Sequence, residues 1–199
     1  MMRVMRNEKH SARTAAKEAS HERIVSVAAR AIRRSGYDGT GVADIMKEAG
    51  LTHGAFYAHF PSREAMLAEA ADRACTDVAA TVANFVATVP AEKALAAMVH
   101  AYLSPQSLAN VESGCPLPAL GSETPRQAPA VRRATTRYVK AMVDLVARQS
   151  PDWGQAGAHE RALFTVAAMV GTLLLARAVD EPALSNSLRE ATLKHLVPA

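Results

Sequence analysis

The side chains most capable of chemistry crowd into residues 51–64, LTHGAFYAHFPSRE, where two histidines, a tyrosine and an arginine stand among phenylalanines. Histidines raise metal binding or proton transfer; tyrosine and arginine raise anion recognition. His53 and His59 are six positions apart, so on a helix they point to different sides and cannot share a metal as an i, i+4 pair could. No Gly-x-Ser-x-Gly, phosphate loop or cluster of carboxylates occurs elsewhere in the chain, so no catalytic residue, metal ligand or cofactor is assigned and the chain is not expected to be an enzyme. Cys75 and Cys115 match no zinc spacing, and in a reducing compartment they form no stable disulfide.

Helical spacing divides the segment. On a helix capped by Thr52, His53 and Tyr57 lie one turn apart on one face, and Phe56 and Phe60 one turn apart on another. The phenylalanines are expected to face inward with Leu51, Ile45 and Ile24. His53, Gly54, Tyr57 and His59 are expected to face outward, and Gly54 weakens a helix unless the backbone there must come close to something.

The elements that position this face read clearly. Ile24, Ala28 and Ile32 recur every four residues on a helix from about residue 20 that Gly36 ends. Thr40 is placed to cap a second helix carrying Val42, Ile45, Met46 and Ala49, which Gly50 stops. Two short helices joined by a glycine-containing turn form a helix-turn-helix, whose exposed last helix suits a DNA major groove. Thr40 and Thr52 would bring N–H and hydroxyl groups to phosphates, and Arg63 would add a cation at the margin.

Charge agrees with placement of the function there. Residues 1–60 hold ten Lys/Arg against six Asp/Glu, so the whole net charge of +4 lies in them, and the remainder is balanced at thirteen of each sign. An anion-binding head on a neutral body has this distribution, as do solvated arginines on an exposed helix. Residues 1–19 are polar and basic without an apolar period and read as a flexible arm.

Pro61 ends the third helix, and a long fourth follows over 62–90. Further helices are expected at 91–103, 105–111, 130–149, 158–179 and 183–196, with turns and one helical turn near 116–120 between them. The longest apolar run, 166–179, falls short of a membrane span, and the N-terminus lacks a signal peptide's apolar stretch, so a cytoplasmic protein is expected. That run is apolar nearly all round: it is either the centre of the core or, the preferred reading, shared with a second copy, where Gly171 and Ala178 allow close approach.

A body of 199 residues less its head can hold a ligand cavity. Phe85, Met98, Tyr102, Met142, Phe164 and Met169 are the candidate lining residues, with ordinary core packing as the alternative. In GCPLPALGSE, residues 114–123, Cys115 precedes a proline suited to a helix start, where the dipole stabilises a thiolate. The thiol reads either as a sensor of oxidants and electrophiles or as a small buried hydrophobe.

Residues 23–67 closely resemble the DNA-binding head of the TetR family of transcriptional repressors, through Gly36-Tyr37, Thr40, Ile45, Ala49-Gly50-Leu51, Tyr57, Phe60 and Arg63-Glu64. The resemblance implies an all-α homodimer of about nine helices, its last two pairing across the dimer, that leaves a palindromic operator when a small molecule enters the body. It places His53, Gly54, Ala55, Tyr57 and His59 on the recognition helix and Thr40, Gly41 and Ala43 at the start of helix two. Arg63 falls where the family often has a phosphate-binding lysine. Gly41 and Ala43 are smaller than the family's usual residues, which leaves helix two with backbone contacts. The Gly-Cys-Pro-Leu stretch resembles one in a subgroup that includes electrophile-responsive repressors. The expected organisation is a 1–19 arm, a 20–65 DNA-binding domain and a 66–199 effector-binding and dimerisation domain. The rival is a small helical ligand carrier or enzyme that retains the head as a structural remnant.

Overall fold

The structure is a computed structural model describing the backbone of residues 2–150 and 152–197 and the side chains of residues 12–150 and 152–197. Every regular element among them is helical: α1 (Met2–Ser35), α2 (Val42–Glu48), the 3-10 helix η1 (His53–Ala58), α3 (Arg63–Ala87), α4 (Ala91–Tyr102), α5 (Pro105–Ala109), α6 (Leu117–Leu120), the 3-10 helix η2 (Thr124–Arg126), α7 (Pro129–Gln149), α8 (Ala158–Ala178) and α9 (Pro182–Leu196).

Local signals place most of these ends. Gly36 (φ 74°) and Gly50 (φ 72°) take the left-handed backbone that closes α1 and α2. After α2, Gly50 N–H donates to Lys47 O at 3.0 Å and Leu51 N–H to Met46 O at 2.8 Å, the paired bonds of a Schellman motif. Ser62 caps α3 by accepting from Ala65 N–H at 3.2 Å.

Three expectations are corrected. α1 starts at Met2 instead of near residue 20, because no glycine or proline interrupts residues 2–35 and an established helix propagates through polar sequence. Residues 12–19 are its exposed turns; the side chains of residues 1–11 lie outside the described residues. The third helix is a single 3-10 segment, held between Gly50 and Pro61, where there is no room for a longer α-helix. α8 is long and apolar enough to cross a membrane, at 21 residues and a mean hydropathy of 1.5; here it packs between α7 and α9.

The core is organised around α1. Ile24, Ala28 and Ile32 are sealed inside one cluster with Ile45, Phe56 and Phe60 of the head and with Met66, Leu67, Leu120 and Val131 of the body. A separate cluster around Met98, Val143, Val146 and Val166 fills the far body, and Val99, Leu103 and Met169 fill a third. Because one cluster spans head and body, Phe60→Ala, at a ring only 1% exposed, is expected to cost about 3–5 kcal/mol. Urea unfolding followed by circular dichroism should show this as a shift of one transition for the whole chain.

Candidate functional site

The outer face of the head is built on η1. Phe56 is buried and stacks on Phe60 with ring centroids 5.5 Å apart, fixing the segment from inside. Tyr57 meets Phe56 edge-on at 5.2 Å, yet remains 72% exposed. Thr52, the residue before η1, is exposed and its side chain makes no capping bond. His53 and Gly54 are exposed and Ala55 half-buried. A Cβ at Gly54 would meet no atom within 4 Å, and Gly54 does not have positive φ. Nothing within the fold therefore asks for glycine there.

Three residues expected on this surface are turned to other uses. His59 is half-buried and tilts against the ring of His21 at 5.9 Å, and its buried Nδ1 has no partner. His21 itself stacks on Phe60 at 4.6 Å and places Nε2 2.6 Å from Glu69 Oε2. Thr40 does not cap α2, a position taken by the exposed Gly41; its buried hydroxyl donates to Gly36 O at 2.7 Å. Arg63 donates through Nη2 to the carbonyls of Tyr37 and, at 3.2 Å, Thr40. Its guanidinium thus holds the 36–41 turn closed. Carbonyl oxygens left free by the turn compete for the cation that a local reading reserves for phosphate.

The same turn is fastened to the body. Tyr37 is buried, its N–H donates to Glu123 Oε2 at 2.8 Å, and burial pushes its phenol up to about 12 despite a hydrogen bond with Thr124. Glu123 lies so close to Gly36 that a Cβ there would collide with its carboxylate. Arg33, 4% exposed, donates to Gly114 O at 3.3 Å, and Arg34 pairs with Glu112 at 3.1 Å. These partners stand some eighty residues apart in the chain, and no local pattern marks them.

Beyond that joint lies a cavity of about 440 Å³ between α3, α4, α7, α8 and the 104–115 segment. Phe85, Met98, Tyr102, Met142, Met169 and Cys115 are among the residues that line it. Phe164 does not: it stands 67% exposed on the far side of α8. Cys115 is 4% exposed, just before α6, and accepts from the Tyr138 hydroxyl at 3.4 Å. Burial pushes its thiol up, outweighing the hydrogen bonds from Tyr102, Tyr138 and the Leu117 N–H and the charge of Arg177 that favour the thiolate, so the resting group is protonated. Cys75 is likewise buried and free, its thiol pushed up to about 12.

With the geometry in place, comparisons with known proteins converge. The family model described as "Bacterial regulatory proteins, tetR family" matches residues 24–70. An uncharacterised HTH-type transcriptional regulator of Mycobacterium tuberculosis, Rv0196, is 30% identical over 169 residues, 78% of this chain and 83% of its own. The HTH-type transcriptional regulator LmrA of Bacillus subtilis is 45% identical over 49 residues, 25% of this chain and 26% of its own. In fold, the reduced form of E. coli NemR superposes with a TM-score of 0.77 at 18% identity, covering 90% of this chain and 95% of its own.

The His59 environment has a pH consequence. Burial first, then the charges of His21 and Lys17, holds its imidazole below the ordinary histidine value. The unfolded chain therefore takes up this proton first as pH falls below about 6.5, and folded stability declines with it. Denaturant melts between pH 7.5 and 5.5 should show wild-type stability falling relative to His59→Gln, with the two curves parallel above pH 7.

Proposed function

The chain belongs to the TetR family of bacterial regulatory proteins and is a DNA-binding transcriptional regulator; on that premise we propose that it is a homodimeric cytoplasmic repressor. It binds a palindromic operator and leaves it when a small molecule fills the body cavity. The observation that carries the DNA interface is the exposed Thr52-His53-Gly54-Tyr57 face on a rigid Phe56–Phe60 base: a large tyrosine left in water beside a glycine with open space. In this reading Tyr57, His53 and Thr52 reach base edges and phosphates, while Gly54 and Ala55 let the groove come close. Gly41 and Ala43 approach the backbone at the start of α2. Arg63, Thr40 and His59 act indirectly, by holding the turn and the segment in position. The regions for these tasks are 20–65 for DNA and 66–199 for effector and dimer.

Pairing through the last two helices is supported by an apolar stripe that this chain leaves uncovered. Phe164, Leu174, Leu175 and Leu184 are all exposed, and Phe164, Ala167, Gly171, Leu174 and Ala178 recur at helical spacing along one face of α8. Gly171 has open space around it, which admits a partner helix closely. A protonated, buried Cys115 favours an effector held by shape and hydrogen bonds over one trapped covalently. The regulator reading leaves the head a working part, unlike a carrier or enzyme that keeps it as a remnant.

Tyr57→Ala should cost about 1–3 kcal/mol of specific affinity, and Gly54→Ala should weaken binding while leaving the melting temperature unchanged or raised. Fluorescence anisotropy on DNA upstream of the coding sequence measures both; specific binding unchanged in the two variants would remove this interface. The contacted half-sites should have centres about 34–36 Å apart or a multiple of that. Leu175→Glu should move the protein from dimer to monomer in sedimentation velocity without loss of helicity, and a dimer retained would remove the α8 face from the pairing surface.

A further inference from the structure

We infer that the cavity is built for an amphipathic carboxylic acid: an apolar body ending in one carboxylate. This deepens the effector reading and rests on it. The cavity has two unlike ends. Val78, Val82, Met98, Met142, Val146 and Met169 make an apolar wall, whereas the 104–115 segment contributes serines, Gln106, Asn110 and the Cys115 thiol beside the hydroxyls of Tyr102 and Tyr138. No acidic or basic side chain lines either end.

The charge stands one layer behind the polar end. Arg177 of α8 gives Nη2 to Ser107 O at 2.8 Å and Asn110 O at 3.3 Å, and Nε to Leu108 O at 3.1 Å. Its Nη1 is buried with no partner. From α1, Arg33 reaches the same segment at Gly114 O, and its Nε is also buried and unpartnered. Neither arginine forms an ion pair among the described residues. Two guanidiniums that bond only to neutral groups, each with an N–H left over, thus converge on Gly114 and Cys115.

Asp77 acts on Arg33 from a distance, but no carboxylate among the described residues pairs with either guanidinium. A buried cation without a contacting counter-ion is costly, and an anion arriving in its low-dielectric surroundings is held more strongly than in water. Gly114 lines the cavity, and a Cβ built there would collide with Asn110 O and sit 3.5 Å from Arg177 Nη2. The guanidinium therefore stands directly behind a residue of the cavity wall. At the same end the Tyr102 hydroxyl is buried with only the Cys115 sulfur, a weak acceptor, beside it, a donor that a carboxylate oxygen would satisfy better. Since Arg33 belongs to α1, an anion that draws on its charge also acts on the helix that carries the DNA-binding head.

The test uses matched probes on the full-length dimer: octanoate, decanoate, dodecanoate and 1-naphthaleneacetate, each against its methyl ester and the corresponding primary amine. Isothermal titration should give at least one acid about tenfold tighter than its ester, with the amine weakest. Tyr102→Phe should weaken that acid severalfold and leave the ester unchanged; Arg177→Met should do the same more strongly, and Tyr102→Phe keeps the test standing if Arg177→Met does not fold. Esters or amines binding as tightly as every acid, or no acid binding, overturns the inference. An acid that binds selectively yet leaves the operator complex intact by anisotropy upholds the carboxylate site and overturns the effector reading instead.

Discussion

The dependence on which the structure turns is the burial of one face of α1 by two parties at once. A head made of one face of α1 with the short α2 and η1 is too small to close a core of its own. Ile24 and Ile32 are sealed only because Phe56, Phe60 and Ile45 cover them from the head while Met66, Leu67, Leu120 and Val131 continue the same cluster into the body. The orientation of the outer face of η1 is thus set by packing that extends well outside the head. A movement of α3 or α6 reaches Tyr57 through close-packed side chains, which shift as units because interiors have little free volume.

Polar bonds give that joint a defined register. Tyr37 is held at its N–H by Glu123, at its carbonyl by Arg63 and at its phenol by Thr124. Arg33 ties α1 to the main chain at Gly114, which also lines the cavity. Contact across the joint therefore includes partly buried, directional hydrogen bonds, which have fewer acceptable geometries than apolar packing and suit a device with discrete arrangements. The cavity meets the joint at the 110–115 segment, whose Gly114 both lines the cavity and accepts from Arg33 of α1, while Glu112 pairs with Arg34.

Much of this was legible in residue order, for physical reasons that are local. Gly36 and Gly50 end helices because only glycine enters left-handed backbone cheaply, and Ser62 caps α3 through its own hydroxyl. Phe56 and Phe60 were readable as the inner face because helical spacing holds within one turn. What local reading missed was competition from distant groups. Arg63 looked free for phosphate until the carbonyls of Tyr37 and Thr40 came within its reach; Thr40 looked like a cap until the turn brought Gly36 O closer; His59 looked outward until His21 closed over it. Phe164 read as cavity lining because composition alone does not tell which side of an all-apolar helix faces the body. Glu123 and Arg177 carried no signal at all, since their partners lie tens of residues away.

None of the residues lining the cavity belongs to the cluster that seats the head. Exchanges that reshape the cavity, such as one methionine for a leucine, leave the packing of Ile24, Ile32 and Phe60 untouched. Under the proposed function, selection for a new effector proceeds in one part of the chain without eroding DNA recognition in another. Such a chain can diverge at two rates, conservatively where α1 is clamped and freely around the cavity.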